Sequence, residues 1–383
     1  LAIVSLVLLV SCTTTTAPPA SSPELPRWSA RDSAELPAKL ASRYVRAAIG
    51  WNGGLLVGAE YPEPALFASP DGSQWTEQAP EGFDKYLRGQ PFAAYGPTAF
   101  VLGSGLGEVV VWRTEDGTTW ERAALPDSDR EDPFMAIAAG PHGVLVVGSD
   151  WFDYNAGLEA EHTPDDFFGF EFWHSADGRS FRYAGTLSLA RDVGGVFPRV
   201  VATEDGFLLH NFDSGTVFDD DTPVFRSTDG AAWESTGDGL PTGSRLAAGR
   251  AGDLIFVLGQ DVNGRLFARH RRDGDSTWSS GVIDLGRMPD AGVVPRDQQR
   301  PILVHPWGSG FMAVGGTTGA TNVGVVWTSP DGVTWTRMPV RDNGFDQVVK
   351  LMAVASSRGV TYLFGVTDHP PAQRVRLWQA AHP

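Results

Sequence analysis

Two segments rich in acids and aromatics hold the side chains best suited to ligand binding. The first, residues 149–169, reads SDWFDYNAGLEAEHTPDDFFG and sets Trp151, Phe152 and Tyr154 among Asp150, Asp153, Glu159 and Glu161. Aromatic rings beside hydrogen-bonding carboxylates suit sugar recognition, and clustered carboxylates suit a calcium ion. The second, HNFDSGTVFDDDTP at 210–223, adds Asp213, Asp219, Asp220 and Asp221. Asp150, Trp151, Asp153, Tyr154, Asp219 and Asp221 are the candidate ligand-binding residues. The same composition also reads as loops that fold their rings onto the body of the protein and keep their acids in water. The calcium signal is weak, because the spacing lacks the alternating oxygens of a known calcium loop.

Other chemistry is sparse. Arg88, Arg130, Arg191, Arg199, Arg296, Arg300 and Arg341 recur in the segments expected to link one repeat to the next, interleaved with acids such as Asp127, Asp297 and Asp342, and read mainly as solvated ion pairs. His142, His210 and His305 stand at unlike positions in their repeats with no H-x-H or HExxH spacing, so no metal site is expected. No nucleophile elbow stands out, and GSGLG at 103–107 runs into a second strand-like stretch, lacking the helix that a phosphate cradle needs. No cofactor and no catalytic residue is assigned. A net charge of -16 leaves no basic face for nucleic acid.

The elements that must carry these residues are repeats. The pattern S-x-D-G-x-x-W occurs at Ser69 to Trp75, and close copies end at Trp120, Phe181, Trp233 and Trp335, with a looser one ending at Trp278. Each copy predicts a tight hairpin: Asp and the Ser/Thr hydroxyl bond nearby N–H groups, Gly takes a positive φ, and the ring packs the turn down. The structural aspartates are Asp71, Asp116, Asp177, Asp229, Asp273 and Asp331. An aromatic two positions before the Ser/Thr (Phe67, Trp112, Trp173, Phe225, Trp327) lies on the same face of its strand as that residue, and Trp378 matches a last repeat.

Apolar strands ending in glycine give an independent count: Gly58, Gly103, Gly148, Gly259, Gly315 and Gly365, with His210 replacing glycine in the fourth repeat. Seven such strands at a period of about 45 to 60 residues predict an all-β, seven-bladed propeller of four-stranded antiparallel blades. The last repeat stops after RVRLWQAAHP, whereas PRWSARDS near the start resembles an outer strand without a blade. An N-terminal strand is therefore expected to close the ring, leaving no free edge.

These repeats resemble the Asp-box, or BNR, repeats of sialidases, sortilin-type receptors and photosystem assembly factors. Asp and Gly are adjacent here, where the commonest family form separates them, which implies a hairpin one residue shorter. In that family the box lies on the blade periphery, so the resemblance implies the fold and no catalysis. Sialidase chemistry, as the family implies it, needs three arginines around a substrate carboxylate, a tyrosine nucleophile paired with glutamate, and an acid/base aspartate.

The first residues, LAIVSLVLLVSC, resemble the end of a bacterial lipoprotein signal, with Leu9-Val10-Ser11-Cys12 as the cleavage box. About ten apolar residues are too few to span a bilayer. The resemblance makes Cys12, the single cysteine, the lipidation site, and 1–11 a signal peptide whose start lies upstream of Leu1. Residues 12–26, rich in Thr, Pro and Ser, read as a disordered tether, and 27–383 as the propeller. The expected location is the extracytoplasmic face of a membrane, as a lipid-anchored monomer. Three functions stay open: a non-enzymatic binding module for an envelope protein or glycan, a glycoside hydrolase of the exo-sialidase type, and an assembly factor for envelope proteins.

Overall fold

The computed structural model describes residues 28–31, 36–60, 63–86, 88–105, 108–128, 134–149, 169–188, 198–211, 224–236, 240–241, 245–261, 263–272, 275, 277–284, 299–317, 322–367 and 374–382. The described residues form seven sheets, each built around three or four antiparallel strands. The innermost strands are Tyr44–Trp51, Phe92–Tyr95, Phe134–Gly140, Pro198–Thr203, Arg245–Ala251, Gln299–Trp307 and Lys350–Ser357. Each touches the next in chain order and the last touches the first, which makes the ring of a seven-bladed β-propeller.

The apolar runs that end in glycine are the second strands, such as Gly54–Glu60 and Leu254–Gln260. They are buried on both faces, so they read as continuous hydrophobic runs and do not alternate. The core lies between blades rather than within one. Val57, Phe67, Ala355 and Phe364 pack between blades seven and one, and Ala136, Phe172, Val200 and Leu209 between blades three and four. The third-strand aromatics anchor it: Trp112, Trp173, Trp327 and Trp378 are among the largest fully buried side chains.

Closure is by the N-terminal strand. Ser29, Ala30 and Arg31 pair antiparallel with Gln379, Trp378 and Leu377, giving blade seven its fourth strand. Trp28 lies buried edge-on to Phe345, with ring centroids 6.1 Å apart, and an Arg31 Nη donates to the Gly72 carbonyl of blade one at 3.1 Å.

Three sheets gain a fifth strand. Lys85–Tyr86 joins blade two, and Val282–Asp284 runs parallel along the outer strand of blade six, Thr334–Arg337. The third addition, Arg88–Gln90, runs parallel to the innermost strand of blade three on its axial edge.

Candidate functional site

The repeated aspartates sit on the hairpins between third and fourth strands. Asp116 shows the local chemistry: its Oδ1 accepts from the backbone N–H of Thr118 and Thr119 at 2.8 and 2.7 Å, while Thr114 Oγ1 accepts from Gly117 N at 2.8 Å. Donation from Thr119 and Thr118 holds the Asp116 carboxyl well below the usual carboxylate range. Asp71, Asp177, Asp229 and Asp331 accept from their own turns in the same way. Gly72 takes φ +76°, where an added Cβ would also meet the Tyr362 ring at 2.3 Å. These carboxylates hold turns and are committed to them. Asp273 lies outside the described residues.

Cys12, Asp150, Trp151, Asp153, Tyr154, Asp219 and Asp221 also lie outside the described residues. The strands that flank the two acidic segments are described. Ser149 pairs with Phe134, and Asn211 with Pro198, so both segments join the body at the rim where the innermost strands begin.

That same rim carries a cluster of cations. Arg46, Arg199 and Arg300 are the third, second and second residues of the innermost strands of blades one, four and six. All three are half-buried. Burial first, then repulsion from Arg46 and Arg300, pushes Arg199 down to about 10, so three side chains far apart in sequence come within electrostatic reach at the axis. Arg199 and Arg300 also make polar or electrostatic contacts of their own. Arg46 occupies an irregularity between Val45 and Ala47, where one extra residue breaks the strict alternation of side chains.

Two of the seven arginines singled out in the sequence thus stand inside innermost strands rather than in linkers. Arg88 begins the axial strand Arg88–Gln90, Arg341 opens a 3-10 turn before blade seven, and Arg130, Arg191 and Arg296 lie outside the described residues. Arg46 was missed, because nothing in its neighbours, Val45 and Ala47, distinguishes it from an ordinary strand position.

Around the arginines stand Tyr44, Glu60 and Lys350. Tyr44 pairs in register with Glu60, whose Oε1 lies 3.8 Å from Arg46 Nε. The Tyr44 hydroxyl donates to Met352 Sδ at 3.5 Å, and Lys350 Nζ lies 5.5 Å from the Tyr44 ring centroid. A rim of arginines with a lysine matches an anion: guanidinium groups present paired donors to a carboxylate, in surroundings drier than bulk water.

One of the three histidines lies beside this cluster. His210 is buried opposite Arg199, His142 Nε2 is 2.8 Å from the Glu204 carbonyl, and His305 Nε2 is 2.9 Å from Ser356 Oγ. Among the described residues no group of three His, Cys, Asp or Glu comes together as a metal site.

No family model and no curated protein matches this chain. Solved structures of similar fold include the sialidase of Trypanosoma rangeli, at 10% identity and TM-score 0.48 over 80% of this chain and 55% of that one. A prolyl endopeptidase aligns at 10% identity and TM-score 0.48 over 91% of this chain and 52% of its own. The exo-β-1,3-galactanase of Phanerochaete chrysosporium aligns at 10% identity and TM-score 0.38, over 67% of each chain. The chain spans about half the length of the sialidase and the peptidase. Likeness at this level says nothing about activity.

Proposed function

We propose that this protein is a lipid-anchored, extracytoplasmic β-propeller that binds an acidic envelope glycan at its axial rim. Cys12 carries the lipid, residues 12–26 act as the tether, and the propeller presents the site. The observation that carries the binding reading is the placing of Arg46, Arg199 and Arg300 at the rim ends of the innermost strands of three non-neighbouring blades, in a chain whose net charge is -16. Holding three cations together opposes folding through their repulsion, and a carboxylate relieves it. An anion entering the site exchanges with the contacts that Arg199 and Arg300 already make.

Calorimetric titration of the full chain with matched acidic and neutral oligosaccharides tests this. Acidic members should bind, affinity should fall with salt, and Arg199→Met should weaken binding at least tenfold. Equal binding of neutral members sinks the reading, and capture of an envelope protein without glycan selectivity favours the assembly-factor role. Replacing Cys12 with Ala should move the protein from the membrane to the soluble fraction.

A second reading, hydrolysis of a terminal acidic sugar, is favoured by Tyr44 facing Glu60 across the strands next to Arg46. Release of a fluorescent aglycone from a sialoside, lost in Tyr44→Phe, would establish it. No turnover at high enzyme concentration leaves the binding role.

A further inference from the structure

Blades six, seven and one, consecutive around the ring, share an irregularity in their innermost strands. Each carries one extra residue at the level of a second-strand glycine: Ile302 near Gly315, Met352 near Gly365 and Arg46 near Gly58. The innermost strands of blades two, three, four and five pair in unbroken register. An extra residue falls out of the ladder and its side chain is re-aimed. The residue before each one, Pro301, Leu351 or Val45, is buried, whereas Ile302, Met352 and Arg46 are all half-buried.

This placement sets Met352 apart from the other methionines. Met135, Met312 and Met338 are exposed by only 2, 0 and 1%, and Met288 lies outside the described residues. Met352 also has a polar neighbour, because the Tyr44 hydroxyl of blade one donates to its Sδ at 3.5 Å. Lys350 Nζ lies 5.5 Å from the centroid of the same Tyr44 ring, and Arg46 follows two residues after Tyr44. A thioether is a weak acceptor, whereas oxidation makes the side chain polar and gives it an oxygen. A donor and two cations therefore suit the oxidised side chain better than the reduced one.

We infer that Met352 is a site of oxidation by peroxide and that its sulfoxide weakens the anion site at the rim, the second part resting on the anion-binding reading above. A sulfur lone pair attacks one oxygen of hydrogen peroxide, and the S–O bond forms as the O–O bond breaks. The departing hydroxide takes the proton from the transferred oxygen and leaves as water. Sulfur gives up two electrons, and the peroxide is reduced. The new oxygen accepts from Tyr44 and brings partial negative charge toward Lys350 and Arg46, so an incoming anion meets cations that are already partly satisfied.

The test exposes the full-length protein to dilute hydrogen peroxide, digests it at intervals and follows each methionine peptide by mass spectrometry. Met352 should take up one oxygen atom at least about tenfold faster than Met135, Met312 and Met338. Protein oxidised at Met352 should bind the acidic oligosaccharide at least about fivefold more weakly than untreated protein. Met352→Leu should bind equally before and after peroxide. Met352→Gln, which sets a permanent acceptor near the same point, should lower affinity with no peroxide added, and circular dichroism reports whether each variant is folded.

Uptake at Met352 no faster than at the three buried methionines overturns the site. Fast uptake with unchanged affinity keeps the site and overturns its effect on the rim, as does an equal loss of affinity in peroxide-treated Met352→Leu. Untreated protein that binds no acidic oligosaccharide overturns the anion-binding reading and the effect with it, while the uptake rates still decide the site.

Discussion

His305 makes the stability of this propeller sensitive to acid over a defined range. Its Nε2 lies 2.9 Å from Ser356 Oγ, joining the innermost strands of blades six and seven, and Ser356 Oγ is in turn 2.7 Å from Thr361 Oγ1. Burial, helped by repulsion from His382, pushes the imidazole down from its ordinary 6.5 to about 4. The folded ring stays neutral until pH nears 4, whereas in the unfolded chain it gains a proton near 6.5. Between these values the unfolded state holds more protons, so stability is fully present above pH 6.5 and is lost as pH falls toward 4. That gap, at about 1.4 kcal/mol per pH unit, sets a ceiling of about 3.5 kcal/mol. Partial contact of the residue with solvent keeps the real figure below that ceiling.

The perturbation is His305→Gln, which keeps a polar side chain but cannot titrate. Urea midpoints for both proteins from about pH 7.5 to 4.5 give the answer as a difference of differences, which cancels the carboxylates that titrate in the same range. The unaltered protein should lose about 1 to 2.5 kcal/mol more than the variant across this range. Parallel curves would refute the reasoning, because they would mean that His305 has the same proton affinity folded and unfolded.

Trp327→Ala empties one of the largest buried sites and should cost about 3 to 5 kcal/mol in urea unfolding. Trp28→Ala removes the buried ring beside Phe345 at the closing strand, and faster proteolysis of blade seven than of blade three would report a loosened ring. Asp116→Ala deprives two backbone N–H groups of their acceptor and should lower stability by about 1 to 2 kcal/mol without altering ligand affinity. Because hydrogen bonding keeps Asp116 ionised well below the usual range, that loss should be constant from neutral pH down to about pH 4.

The blade count was legible because its signals are local. In the turn at Ser329 to Trp335, Gly332 N donates to Ser329 Oγ, Val333 N and Thr334 N donate to Asp331, and Trp335 Nε1 donates to the Gly332 carbonyl, all within three residues. Contacts that short leave a sequence pattern by themselves. The same holds for glycine-ended second strands, whose burial on both faces demands an unbroken apolar run. The closing strand was legible for a related reason: one outer strand missing at the end and one spare near the start leave a single economical pairing, observed between Ser29–Arg31 and Leu377–Gln379.

The axial site shows no such pattern. Arg199 and Arg300 are each one basic residue at the head of a strand, and Arg46 sits where an extra residue disrupts the alternation. What unites them is position around a circle, fixed only when the seventh blade meets the first. Gln90 reaches a carbonyl 110 residues away, and Gly89 reads as an ordinary loop glycine until Met135 is placed beside it.

The sequence by itself determined the repeat, the turn chemistry and the number of blades, because each depends on hydrogen bonds and alternation among near neighbours. Tertiary structure alone decided which cations share one rim and which strand stands beside them. Electrostatic reach and backbone contact depend on distance in space, and ring closure sets those distances for residues that the chain keeps far apart.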